Sequence, residues 1–302
     1  MAGSMKALLL AGNGFIGRRV ATLLASGGND VVVHHTGRDT LPEAPGISGV
    51  VVDRTPLPIV DFPEKLLSCK ADTAVHFNCM GEPDARALLE AFDGRVGRIV
   101  LISSCDVYRA YGRFIRTEPG SPDPTPLAES APLRQQRYPY RTKADDRRQL
   151  EYWYDKLEAE RVVSAARRSE VTILRLPKVY GPGDENGLQT VYGFAHQPSW
   201  RWTHGHVDNI ASAIVLGAFH PEAAGETFNL GERHTPTMGE RLARLPARPA
   251  SEAAEGDYDF RQDLHCDTGK LRRVLGYADT VDEVETMAAL ARNSGRLDHG
   301  GR

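Results

Sequence analysis

The chain has 302 residues, 41% of them hydrophobic and 25% charged, with a formal net charge of −3. This balance excludes disordered and fibrous classes, leaves room for a large core plus a smaller lobe, and gives no long-range attraction to polyanions. Nucleic acid is therefore not expected as a partner. The four cysteines, Cys69, Cys79, Cys105 and Cys266, form no C-x-x-C pair and no short metal-ligand spacing, so reduced thiols in a cytoplasmic protein and no metal site are expected. The first apolar run is too short for a signal peptide or a membrane span.

In chain order, short apolar runs alternate with helical stretches, the pattern of a parallel sheet built from β-α-β units. Strands are expected at Ala7 to Ala11, Asp30 to His34, Gly49 to Val52, Thr73 to Phe77, Arg98 to Ile102 and Val171 to Leu174. Helices are expected at Gly17 to Ser26 and Asp84 to Phe92, with one long amphipathic helix from Arg147 to Arg168. The stretch from Tyr108 to Arg148 is rich in proline, arginine and tyrosine without a period, and reads as a long functional loop. Further on, Val207 to Phe219 and Asp267 to Leu275 read as helices and Glu226 to Leu230 as a strand.

The segment Ala11-Gly12-Asn13-Gly14-Phe15-Ile16-Gly17 follows a strand and opens a helix. Glycines suit a tight turn that a pyrophosphate approaches closely, while the helix start offers free N–H groups to its charge. Gly12, Asn13, Gly14, Phe15, Ile16 and Gly17 are thus the expected dinucleotide cradle. The second strand ends in His34-His35-Thr36-Gly37-Arg38, with no acid for the ribose hydroxyls. His35 and Arg38 favour a 2′-phosphate, hence NADP with NAD as the alternative, although Arg38 also reads as a solvated loop charge. Asp53, ending the third strand, is a candidate for the adenine amino group or a turn cap, and Asn78 after the fourth strand joins the cofactor set.

Four motifs together resemble the extended short-chain dehydrogenase/reductase family, in its NAD-dependent epimerase/dehydratase branch. They are AGNGFIG, the ISSCDVY run from Ile102 to Tyr108, YWYDK from Tyr152 to Lys156, and LRLPKVYGPG from Leu174 to Gly183. The resemblance implies a Rossmann-type doubly wound α/β fold. The nucleotide-binding domain is expected at 1–176 and 203–232, and a smaller, mostly carboxy-terminal substrate lobe at 177–202 and 233–302.

It also implies a catalytic tyrosine with a lysine four residues later. Neither Tyr138 nor Tyr140 has that spacing to Lys143, so Tyr152 and Lys156 are expected to act, one helical turn apart. An aromatic surface helix with an incidental lysine is the alternative. Ser104, with Ser103 as neighbour, is expected to bond the substrate oxygen. Cys105 and Asp106 stand where dehydratases carry Asp-Glu, so dehydration is disfavoured while Asp106 remains a candidate base. Pro177 is expected at the nicotinamide, and Lys178 and Tyr180 at the substrate. The cations of the long loop, Arg109, Arg113, Arg116, Arg134, Arg137, Arg141 and Lys143, suit an anionic group on that substrate.

The expected function is NAD(P)-dependent oxidoreduction or epimerisation of a secondary alcohol or ketone on a sugar-like, anionic or nucleotide-sugar substrate. The rival reading is a non-catalytic NAD(P)-binding regulator or RNA-associated protein on the same fold. A small-molecule substrate, no membrane and a homodimer complete the expectations.

Overall fold

The computed structural model describes residues 4–37, 40–52, 57–184, 188–246 and 256–297. Its main sheet contains seven parallel strands: β1 (Lys6–Leu10), β2 (Asp30–His35), β3 (Ile47–Val51), β4 (Thr73–His76), β5 (Arg98–Ser104), β6 (Glu170–Leu176) and, last in the chain, β9 (Thr227–Asn229). Two further strands, β7 (Lys178–Tyr180) and β8 (His204–His206), form a separate parallel pair. The spatial order β3-β2-β1-β4-β5-β6-β9 reverses direction at β1 and β4. That switch opens a crevice at the carboxyl ends of the strands, where ligands of doubly wound sheets bind.

Alternation along β1 shows why the sheet is covered on both faces. Ala7 and Leu9 pack into a core with Val20, Ala21 and Leu24 of the helix Phe15–Ser26 and Ile210 and Ile214 of the helix Val207–Phe219. Leu8 and Leu10 point the other way, onto Leu88 and Phe92 of Glu82–Phe92 and Ala159 and Val163 of Lys156–Val163. A strand buried on both faces must be apolar at every position, and KALLL is nearly so. A third core, rich in aromatic rings, gathers Phe114, Tyr180, Tyr192, Phe194, Trp200 and Met238 from segments outside the main sheet. Phe114 and Trp200 stack within it at 4.8 Å between centroids.

Two expectations change here. The stretch from Tyr108 to Arg148 begins with a helix, Arg109–Phe114, because Ala110 and Phe114 can be buried on one side. The expected single helix from Arg147 to Arg168 is two helices, Leu150–Trp153 and Lys156–Val163, separated at Tyr154 and Asp155. The reason is local: the Asp155 side chain accepts the Glu158 N–H and starts a new helix, as an N-cap does.

Buried ions tie the sheet to its coverings. Glu160 pairs with Arg175 at 2.7 Å, both nearly inaccessible, and also accepts the Ser103 hydroxyl at 2.5 Å. Arg175 donates to the Tyr108 hydroxyl, which donates to Asn229 at 2.6 Å, so the network runs from β5 to β9. Glu232, just beyond β9, accepts the His206 N–H and the Asn209 amide. Burial, reinforced by the nearby carboxylates of Asp279 and Glu283, pushes its carboxyl up to about 8. A folded pKa above the unfolded value means that folded protein holds a proton the unfolded chain has lost. Glu232 therefore subtracts stability as pH rises from about 4.5 to about 8. Thermal unfolding across that interval should show a decline that Glu232→Gln flattens; an unchanged pH slope in the variant would contradict the assignment.

Candidate active site

The glycine turn begins at Ala11, whose φ of +53° swings the chain out of β1. The Gly12 N–H donates to the His34 carbonyl at 3.2 Å, and the Ala11 N–H to His34 Nδ1 at 3.4 Å, fastening the turn to β2. A Cβ on Gly17 would lie 2.3 Å from the Gly12 carbonyl oxygen, so turn and helix touch through bare backbone. A Cβ on Gly14 would meet nothing within 4 Å. The first N–H to bond back into the helix is that of Arg18, to Gly14 at 3.1 Å. The N–H groups of Phe15, Ile16 and Gly17 are thus those that a helix start leaves without an intrahelical acceptor, at its positive end. A cleft of about 640 Å³ lies beside Asn13, Gly14 and Arg18 and is roofed by Pro182, Gly183 and Asp184. These residues fit a pyrophosphate.

A second cavity, of about 480 Å³, opens at the carboxyl ends of β5 and β6. Ser104 ends β5, and its hydroxyl accepts the Asp106 N–H at 3.2 Å, which closes a tight turn through Cys105 and Val107. That turn aims the Asp106 carboxyl at Tyr154, whose hydroxyl donates to Oδ2 at 2.6 Å. Asp106 Oδ1 is buried and has no hydrogen-bond partner among the described residues. Burial raises the Asp106 carboxyl above the usual range, against the pull of Arg134, Tyr154 and Lys156. Burial and the facing Asp106 hold the Tyr154 phenol well above its ordinary value. Tyr140, Tyr111, Lys143, Lys178 and Trp202 complete the wall, the Tyr140 ring 5.3 Å from that of Tyr154.

The break at Asp155 decides which side chains reach this cavity. Its carboxylate accepts from Arg134 at 2.8 Å and from the Tyr138 N–H at 2.8 Å, while its own N–H donates to the Met80 carbonyl at 2.7 Å. Arg134 and Asp155 are each 1% exposed, and Arg134 also donates to the Asp106 carbonyl at 2.9 Å. One guanidinium thus holds both neighbours of Tyr154 in place.

The comparisons with known proteins agree with this architecture. No family model matches the sequence. The uncharacterized Sinorhizobium fredii protein y4nL is 26% identical over 41% of this chain and 47% of its own length, so the chain spans about half of that relative. Among solved structures, a short-chain dehydrogenase/reductase superfamily protein from Agrobacterium tumefaciens with bound NAD superposes with a TM-score of 0.67 at 20% identity, covering 98% of this chain and all of the other. The Bordetella bronchiseptica enzyme WbmG, in complex with NAD and UDP, gives 0.70 at 17% identity over 97% and 96% of the two chains. MoeE5, in complex with UDP-glucuronic acid and NAD, gives 0.67 at 21% identity over 97% and 100%. The chain has the fold of the extended short-chain dehydrogenases/reductases.

Within that fold, Ser104, Cys105, Asp106, Pro177 and Lys178 line one cavity, while Gly12 to Gly17 form the turn at the crevice. Tyr152 and Lys156 do not share a helical turn. The Tyr152 ring lies between the guanidinium groups of Arg141 (4.6 Å) and Arg147 (5.5 Å) and does not line the cavity. Lys156 lies beneath it, 5% exposed, with Nζ donating to the carbonyls of Cys79 at 3.0 Å and Ile102 at 2.9 Å. Burial lowers its pKa, opposed by Cys79, Asp106, Asp84 and Glu160.

His35 packs against Gly49, and its Nδ1 accepts the Gly37 N–H at 3.2 Å. Asn78 is exposed just past β4, whereas Arg38 and Asp53 lie outside the described residues. Tyr180 is buried in the aromatic core, its ring 5.4 Å from that of His206, rather than at the cavity. Most cations of the long loop are already engaged: Arg109 and Arg113 with Asp123, Arg116 with Asp257, Arg134 with Asp155, Arg137 with Glu82 and Glu158, and Arg141 over the ring of Tyr138. Of that set only Lys143 lines the cavity.

Gly17→Ala should lower stability despite alanine's better helix propensity of about 1 kcal/mol, because its Cβ would lie 2.3 Å from the Gly12 backbone oxygen. Gly14→Ala should keep the melting temperature and weaken dinucleotide binding, measured by calorimetric titration. Equal stability of the two variants would refute the close-contact account.

Proposed function

We propose that this protein is a nicotinamide-dinucleotide-dependent enzyme of the extended short-chain dehydrogenase/reductase type. It interconverts a secondary alcohol and a ketone on a sugar-like substrate, as net oxidoreduction or as a step of epimerisation. The observation that carries this reading is the convergence of Ser104, Asp106 and Tyr154 in one cavity, beside Pro177, at the edge of the sheet that also bears the glycine turn. The NAD and UDP ligands named for the structural neighbours support it at the level of ligand class.

A dinucleotide whose pyrophosphate rests on the Gly12 to Gly17 turn would supply a nicotinamide able to accept hydride from, or return it to, the carbon bearing the substrate oxygen. The protein's own work concerns the proton. Ser104 Oγ and the Tyr154 hydroxyl bracket the substrate oxygen; as the alcohol is oxidised, its proton passes to Tyr154 Oη while the phenol proton moves to Asp106 Oδ2. Reduction runs the same transfers backwards. Asp106 suits this relay because burial raises its affinity for a proton. Lys156 contributes a fixed positive charge behind Asp106, and Tyr152 anchors the loop through its guanidinium contacts.

The preference for NADP remains a proposal resting on the absence of a carboxylate at His34-His35-Thr36-Gly37. NAD or NADP at saturating concentration should raise the melting temperature, with the larger shift naming the preferred dinucleotide. No shift with either would sink the reading. Turnover of a panel of sugar nucleotides and other secondary alcohols, followed by nicotinamide absorbance, should fall by about 100-fold or more in Tyr154→Phe and by less than about threefold in Tyr152→Phe. The opposite ranking would restore Tyr152 as the acting residue.

A further inference from the structure

Behind the substrate cavity lies a separate concavity of about 370 Å³, to which no role attaches in the reading above. The two share only the side chain of Cys266 and are divided by the bridge that pairs Leu127 with Cys266. Three guanidinium groups line the second one: Arg233, from the turn after β9, and Arg272 and Arg273, from the helix Gly269–Leu275. Arg233 and Arg273 make no hydrogen bond or ion pair with any described residue. Arg272 is already held by Asp279 at 2.5 Å and by Thr268. The single carboxylate on the wall, Asp267, is committed through Oδ1 to the Gly269 N–H at 2.7 Å. His265 completes the wall, and burial keeps its imidazole neutral at pH values where a free histidine would begin to charge.

We infer that this concavity is a second ligand site, built for a phosphate monoester group and distinct from the substrate cavity. Guanidinium forks match the oxygens of a phosphate in pairs, and a dianionic phosphate supplies the acceptors that Arg233 and Arg273 lack. The volume exceeds that of a bare anion and sits within the range of small-molecule pockets, so the group belongs to a phosphorylated metabolite of modest size. A carboxylate ligand fits less well, because it brings one charge where a phosphate monoester brings nearly two.

The test titrates inorganic phosphate into the full chain, with NAD present at saturation to occupy the glycine turn, and follows binding by calorimetry and phosphorus NMR line broadening. Sodium chloride at matched ionic strength is the control. One saturable site is expected, weakened at least tenfold in Arg233→Ala/Arg273→Ala and unchanged in Lys143→Ala/Lys178→Ala, whose substitutions lie in the substrate cavity. Arg233, Arg273 and Lys143 are exposed and Lys178 is partly so, and both double variants should keep the parent melting temperature. Phenyl phosphate should compete with inorganic phosphate for the same site. Binding that survives loss of Arg233 and Arg273, that vanishes only in the lysine variant, or that chloride reproduces would overturn the inference. The titration is repeated without NAD, so that failure of dinucleotide binding leaves the result for this site intact.

Discussion

A single carboxylate, that of Asp155, organises the cavity side of this molecule. It caps one helix, ends the approach of another, and accepts from a buried guanidinium and from the backbone of the long loop. Such a group cannot be removed cheaply from one side only, since a buried charge that loses its partner costs about 3–5 kcal/mol. The geometry that follows is forced. With the helix interrupted at Asp155, Tyr154 turns toward Asp106 and Ser104, Lys156 turns down between β4 and β5, and the chain crosses Gly81 so closely that a Cβ there would meet the Trp153 carbonyl at 2.3 Å.

The same constraint explains what could be read from the residues and what could not. The strands at Asp30, Thr73, Arg98 and Val171, and the helix Val207–Phe219, were legible because apolar residues recur with the period each element needs. The glycine turn was legible because its spacing serves one geometry. Which tyrosine lines the cavity was not. YWYDKLEAE has an unbroken helical pattern, and spacing alone points from Lys156 back to Tyr152. A competing signal was present: Asp155 with Glu158 three residues on is a helix-start signature, and it prevails because the Asp155 carboxylate has Arg134 to satisfy it. Arg134 lies far off in an aperiodic loop, so its part is visible only once the chain is folded. The three-residue strands β7 and β8 and the aromatic core around Trp200 were beyond any period-based reading for lack of length.

Charge is used here in two different ways. Around β5 and β6 it is internal and paired: Glu160 with Arg175, Asp155 with Arg134. Pairs of this kind add little net stability, but they penalise every arrangement in which one partner is misplaced, which suits a region where several loops must meet in one register. At the carboxyl ends of the strands Lys143 and Lys178 instead stand on the cavity wall without an ion pair among the described residues. The long loop, rich in cations in its sequence, is in three dimensions mostly a framework of salt bridges, with Lys143 over the Tyr140 ring.

Lys156 is committed to two backbone carbonyls in the folded protein itself. A charged side chain that waits in solvent must shed water and settle into one rotamer each time a ligand arrives. This one does so once, during folding. Its position behind Asp106 is therefore part of the scaffold, set before anything enters the cavity.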